Sequence, residues 1–408
     1  MKAVEASKHA PLEDRSGLAL CLSGGGYRAA LFHIGALRRL NELGALSRVD
    51  TISAISGGAI VAAHLAETLR PWPTLPLPDW DQHVQAPLRT LTKQNIRTSA
   101  LLRRILPGGW SHPNAGLDGL AAAYGLWVTQ LPLSVLADPS LPRYIISATD
   151  LQFGALWVFD GGARRGGQEA RMGDGAAGFA PLPDWPLARV VAVSSAAPPF
   201  FDPLPLNLDP GDLHGGGYRA PDRDALVADI RLTDGGVIDN MGLEAVWREH
   251  RVVLVSNGGA PFRPSVDRGP IWRVLRYADV EGRQGEQVRK RWLIRSFETG
   301  ELAGTYWGIE SSPVRYRPSS PGYSKELAGE VISRIRTDLD RFSDAEAEVL
   351  ITHGYFLADA ALRTHVPELI VEDRPFSIPA PDVASERLAR RLLWRSHKRT
   401  LLGRGWPT

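Results

Sequence analysis

The sequence predicts an α/β protein with a mostly parallel central sheet and helices on both of its faces. Three observations carry this expectation. Short apolar runs recur at 18–23, 49–55, 143–149, 190–195 and 252–256, each of strand length and each buried-looking on both sides. The first two are followed at once by stretches of helical pattern, 28–43 and 57–70. The joins between run and helix are turns built from glycine and serine, which puts functional groups at the carboxyl ends of strands.

Taken in order, the first run is Leu18-Ala19-Leu20-Cys21-Leu22 and leads into Ser23-Gly24-Gly25-Gly26-Tyr27-Arg28. The second, Val49 to Ile55, leads into Ser56-Gly57-Gly58. Pro71-Trp72-Pro73 stops the helix that follows, and a helical insertion is expected at about 80–137, where a substrate-covering cap would sit. Glycine- and proline-rich segments at 107–116, 160–186 and 202–230 read as surface loops, the middle one mobile. Within the third, Gly215 to Arg219 repeats the letters of Gly24 to Arg28 without a strand before it or a helix after it, and reads as coincidence. Residues 1–260 form the expected core; 261–408, richer in arginine, form a mainly helical part that completes or extends it.

Bulk composition fits an ordinary globular protein: 408 residues, 44% hydrophobic and 23% charged. A net charge of +2 argues against a dedicated nucleic-acid binder. The single Cys21 excludes a disulfide framework, and no H-E-x-x-H or C-x-x-C spacing suggests a metal; no cofactor is expected. No apolar stretch reaches the roughly 18 residues that span a bilayer, and the first residues lack the apolar core of a secretion signal. A cytoplasmic location is the expectation.

The two glycine turns carry the chemistry. A serine at a tight strand-to-helix bend exposes its hydroxyl at a helix N-terminus, where developing negative charge is favoured. Ala54, Gly57, Gly58 and Ala59 are small enough for such a bend, although Ala54 stands where the elbow pattern G-x-S-x-G has its first glycine. Taken alone, the bland reading of Ser56 as a helix N-cap competes. The first turn also fits the dinucleotide fingerprint G-x-G-x-x-A through Gly24, Gly26 and Ala29. That fingerprint needs an acid closing the second strand; Asp50 opens it instead. For a Ser–His–Asp arrangement, His250, His353, His365 or His397 would have to serve.

Three further segments stand downstream: Ala148-Thr149-Asp150-Leu151, Ser194-Ser195-Ala196-Ala197-Pro198, and Asp234-Gly235-Gly236. With the G-G-G-x-R turn and the small-x-S-x-G elbow they occur in the order of the patatin-like phospholipase family, which the chain resembles over about residues 18–260. Ala29 departs from the glycine usual after the arginine. The resemblance implies a three-layer α/β/α fold and a serine acyl hydrolase acting on fatty-acyl esters of phospholipids or related lipids. It implies a Ser–Asp dyad, with Ser56 as nucleophile and Asp234 as general base. An oxyanion hole is expected from the N–H groups of Gly24, Gly25 and Gly26 with help from Gly57. Arg28 would brace that loop or meet a lipid headgroup, and Gly58, Gly235 and Gly236 would permit close packing. A catalytically silent lipid-binding or regulatory module on the same fold and a nucleotide-dependent oxidoreductase are the alternatives.

The stretch from Glu386 carries Arg387, Arg390, Arg391, Arg395, Lys398, Arg399 and Arg404, with Leu388, Ala389, Leu392 and Leu393 on one helical face. Such a helix can dock on an anionic membrane surface or simply pack on the domain with its basic face in water. The partner expected is a lipid or membrane-surface substrate, with no nucleic acid; oligomeric state stays open.

Overall fold

The computed structural model describes residues 11–396 except 13, 106–111, 113, 163–166, 268 and 395. Ten strands form one mixed sheet: β1 (Leu18–Leu22), β2 (Thr51–Ala54), β3 (Arg143–Asp150), β4 (Ala155–Asp160), β5 (Arg171–Asp174), β6 (Gly178–Pro181), β7 (Leu204–Pro205), β8 (Arg231–Asp234), β9 (Val252–Asn257) and β10 (Ala303–Gly308). The order along the sheet is β10-β9-β1-β2-β3-β4-β5-β6, and the first five of these run parallel. From β3 onward the sheet turns antiparallel.

The helices are α1 (Gly26–Glu42), α2 (Gly57–Thr68), α3 (Ala86–Thr92), α4 (Ile96–Ile105), α5 (Ala115–Trp127), α6 (Leu187–Ser194), α7 (Arg223–Ala228), α8 (Pro270–Glu298), α9 (Lys325–Glu330), α10 (Asp344–His365) and α11 (Glu386–Leu392). The pleat of β1 sorts its side chains between two cores: Leu18, Leu20 and Leu22 join α1, α2 and α10 on one face, and Ala19 and Cys21 join Val253, Val255 and Leu293 on the other. The sheet is therefore covered on both faces. Leu293 and Trp292 tie the C-terminal half of α8 to that second core.

Three expectations are corrected. The run 190–195 is helical, as α6, although its three valines favour a strand. A continuous apolar run of that length has no distinguishing period, and α6 is buried nearly all round between β3 and α5, which decides for the helix. The segment 160–186 is not one loop: β5 and β6 extend the sheet within it. Segment 202–230 likewise contains β7 and α7. The loop expected at 107–116 lies largely outside the described residues. Helices α3 to α5 lie within 80–137.

One feature of the sheet builds the site. The first half of β3 pairs parallel with β2, Ile146 opposite Ala54. Beyond the end of β2, β8 pairs antiparallel with the second half of β3, Ala148 opposite Asp234. β8 thus fills the place β2 vacates, and the last residue of β8 comes to the bend that follows β2.

Candidate active site

Ser56 occupies that bend. Its φ of 50° and ψ of −113° lie outside the regions a residue with a Cβ ordinarily adopts. Strain of this kind persists only where the surroundings enforce it. Here the Ser56 N–H donates to Ser194 Oγ at 2.9 Å. Ser194 Oγ in turn donates to the Ser147 carbonyl of β3 at 2.7 Å. The helix after the bend packs tightly on the end of β1 and on the glycine loop: a Cβ on Gly58 would stand 2.1 Å from the Leu22 carbonyl oxygen, and one on Gly57 2.3 Å from that of Gly26.

Asp234 closes the pair. Its Oδ1 accepts the Gly236 N–H at 2.7 Å, and its backbone is held by Thr149 Oγ1 and the Ala196 carbonyl. Gly235 lets the chain pass under β3, since a Cβ there would meet the Ser147 carbonyl oxygen at 2.5 Å. Burial pushes the Asp234 carboxyl up to about 6, against hydrogen bonds from the Gly236 N–H and the Ser56 hydroxyl that pull it down. A carboxylate with raised proton affinity in contact with a serine hydroxyl can take that proton.

The glycine loop lies beside the pair. Gly25, Gly26, Ser56 and Asp234 line one cavity of about 430 Å³, whose apolar wall includes Ala197, Pro198, Phe200, Phe201, Val237 and Leu339. The N–H groups of Gly25, Gly26 and Gly57, each ahead of a first helical turn, have no partner among the described residues. Gly24 corrects the expectation, because its N–H is committed to the Asn240 carbonyl at 2.9 Å. Arg28 is also resolved between its two expected roles. It is fully buried and donates to the carbonyls of Gly258, Ser333 and Ile335, so it braces the loop and cannot meet a headgroup. Burial lowers its pKa to about 9, which leaves it charged at neutral pH.

The sequence did not reveal the parts played by Ser194 and Asn240. Ser194 stood in the quoted Ser-Ser-Ala-Ala-Pro segment, and its service to the Ser56 backbone follows only from the packing of α6 under the bend. Asn240 lines the cavity, and its Oδ1 would touch a Cβ placed on Gly24 or Gly236. Asp150, in the Ala-Thr-Asp-Leu segment, caps the turn after β3 through the N–H groups of Gln152 and Phe153. Burial and the facing Asp174 push its carboxyl up to about 7; it does not line the cavity.

Among the described residues no histidine lines the cavity. His353 is buried on α10 with Nε2 at 2.9 Å from the Ile309 carbonyl oxygen, and burial lowers its pKa to about 4. His250 contacts Val246 and Thr51. His397 lies outside the described residues. Asp50, the acid a nucleotide site would need, accepts the Leu18 N–H at the opposite end of the parallel strands. Of the basic C-terminal stretch, Ala389 and Leu393 are buried against the molecule and Leu392 is exposed, while 397–408 lie outside the described residues. No helix among the described residues is long and apolar enough to cross a membrane.

Comparison with solved structures finds human GIVD cytosolic phospholipase A2, at a TM-score of 0.48 and 13% identity over 87% of this chain. The match spans 62% of that enzyme's length. It also finds VipD from Legionella pneumophila, at a TM-score of 0.36 and 15% identity, covering 87% of this chain and 68% of that one. No curated protein matches the sequence. The profile of the patatin-like phospholipases matches residues 20–247, more than half of the chain, and the chain belongs to that family.

Proposed function

We propose that the chain is a serine acyl hydrolase that cleaves fatty-acyl esters of phospholipids or related lipids through Ser56 and Asp234. One observation carries the reading. A strained serine at a helix N-terminus contacts a buried carboxyl of raised pKa, in an apolar-walled cavity that also holds unpartnered glycine N–H groups.

In the proposed reaction Ser56 Oγ attacks the ester carbonyl carbon as its proton passes to Asp234. The N–H groups of Gly25, Gly26 and Gly57 bind the developing oxyanion, assisted by the dipoles of α1 and α2. Collapse of the tetrahedral intermediate expels the alcohol, which takes the proton from Asp234 and leaves an acyl-serine. Asp234 then deprotonates a water that attacks the acyl carbon, and the fatty acid leaves as Ser56 regains its proton. Lipid is the partner that the proposed substrate implies, and membrane association follows from where such lipid resides.

A fluorophosphonate probe tests the proposal. Labelling of the native protein and its loss in Ser56→Ala are expected, with turnover of a soluble short-chain ester lost in both Ser56→Ala and Asp234→Asn. A removed oxyanion-hole donor costs about 10²–10³ in kcat in enzymes of this chemistry, and loss of nucleophile or base costs more. Full ester turnover in either variant overturns the dyad.

A further inference from the structure

Helix α8 has two unlike halves. Its C-terminal half is anchored to the core by Leu293. Its N-terminal half crosses the cavity, and Ala278, Asp279, Gly282, Arg283 and Glu286 form part of the cavity lining. Beside the lining residues, this half and the loop before it expose several large apolar side chains. Val274 is 67% exposed, Tyr277 66% and Trp272 54%; on the preceding loop Val266 is 77% and Phe262 38% exposed.

Isolated exposed apolar residues need no explanation, but five in one short segment do. The loop and the helix are fastened to each other as one surface. Arg276 lies 4.4 Å from the centre of the Phe262 ring and donates to the Arg263 carbonyl, and Arg273 is paired with Asp267. Residues 262–279 carry four arginines, Arg263, Arg268, Arg273 and Arg276, against Asp267 and Asp279, and Arg276 is paired with Asp279.

We propose that the surface formed by Phe262, Val266, Trp272, Val274 and Tyr277 docks on an anionic phospholipid bilayer and presents the mouth of the Ser56 cavity to it. The inference rests on the hydrolase reading for the cavity's purpose, and it replaces the basic C-terminal stretch with α8 as the docking element. Charge and shape choose the occupant. Aromatic side chains with arginine between them suit the boundary between headgroups and acyl chains, where rings are half-immersed and guanidinium groups meet phosphate. Each arginine near an anionic leaflet adds about 1 kcal/mol, and that contribution weakens with salt. A bilayer held here lies against the same helix that lines the cavity, so a lipid has a short path from its leaflet to Ser56.

The test is co-sedimentation of the full chain with vesicles of phosphatidylcholine, with and without phosphatidylglycerol. Native protein should bind the anionic vesicles more tightly than the neutral ones and release as salt rises. The triple variant Trp272→Glu/Val274→Glu/Tyr277→Glu should lose binding by at least about tenfold. It should keep turnover of a soluble short-chain ester, because none of the three residues lines the cavity. Undiminished vesicle binding in the triple variant overturns the proposal. So does a loss of binding caused only by substitutions in the C-terminal stretch (Arg391→Gln, Lys398→Gln, Arg399→Gln). A native dimer in ultracentrifugation that the triple variant dissolves would give the surface to a second copy and overturn it as well. Native protein that binds vesicles through α8 yet turns over no ester would refute the hydrolase reading and leave the docking surface standing.

Discussion

In the proposed dyad Asp234 takes a proton from Ser56; such a carboxylate works better when its own affinity for protons is raised, and burial pushes the Asp234 carboxyl up to about 6. Two consequences follow at this residue. For catalysis the ionised form is required, so kcat/KM should fall with decreasing pH along a single limb near pH 6, and a limb near the ordinary carboxylate pKa of 3.8 would contradict the assignment. For stability the sign is opposite. The folded state prefers the neutral carboxyl, so this contribution is full below pH 3.8 and is lost as pH rises through 6. At neutral pH the ionised group then costs the fold about 3 kcal/mol, from the difference of 6 and 3.8 at 1.36 per unit. Asp234→Asn, which keeps an oxygen for the Gly236 N–H, should therefore be inactive and more stable than the native protein at pH 7. The gain should vanish near pH 3, and equal melting temperatures at both pH values would refute it. That Ser56 and Asp234 would be brought together was legible in the sequence because each sits in a short, ordered motif. That the Gly24 N–H goes to Asn240 and the Ser56 N–H to Ser194 was not, since both bonds join segments more than a hundred residues apart.

Helices α1 and α10 meet at glycines of both. A Cβ on Gly35 would fall 1.8 Å from the Ile351 carbonyl oxygen, and one on Gly354 2.0 Å from that of Phe32. Backbone meets backbone here, with no side chain able to give way, so Gly354→Ala must push the helices apart. A loss of about 3 kcal/mol or more is expected in denaturant unfolding. Because α1 begins at the glycine loop, ester turnover should fall together with stability. A loss below about 1 kcal/mol would show that the crossing relaxes without cost. This crossing carries no local signal, since each glycine looks like an ordinary helix interruption until its partner is known. The same limit explains which elements the sequence displayed. β1, β2, β3 and β9 are apolar runs between turn residues, and each was readable. β5 and β6, at four residues each with Gly173 and Gly178 inside them, are too short and too glycine-rich to show a period. β8 reads as a strand only because β3 offers it an edge, and α6 reads as a helix only because of what surrounds it.

At the scale of the whole molecule, the chain beyond 260 holds the glycine loop in place. β10 closes the parallel end of the sheet beside β9, and α10 covers α1. Arg28 donates to the carbonyls of Ser333 and Ile335, and the Tyr27 N–H donates to that of Asp338 at 3.0 Å. Gly26, at φ 56°, packs against the same Asp338, where a Cβ would stand 2.6 Å from the carbonyl oxygen. The matched family segment, 20–247, thus contains Ser56, Asp234 and the loop but not the Ser333, Ile335 and Asp338 carbonyls that hold it. A fragment ending at residue 260 would leave the Arg28 guanidinium with only the Gly258 carbonyl to fix its orientation. The apolar side chains of α1 that α10 covers and the edge of β9 would be bare besides. The fragment 1–260 should consequently be insoluble, or soluble without fluorophosphonate labelling, whereas the full chain is labelled. Arg28→Lys in the full chain isolates the brace from the core. Lysine keeps the charge but lacks the planar fork that reaches three carbonyls at once, so ester turnover should drop at least about tenfold with secondary structure retained. A labelled, soluble 1–260 fragment would show instead that the loop holds its geometry from the first two turns alone.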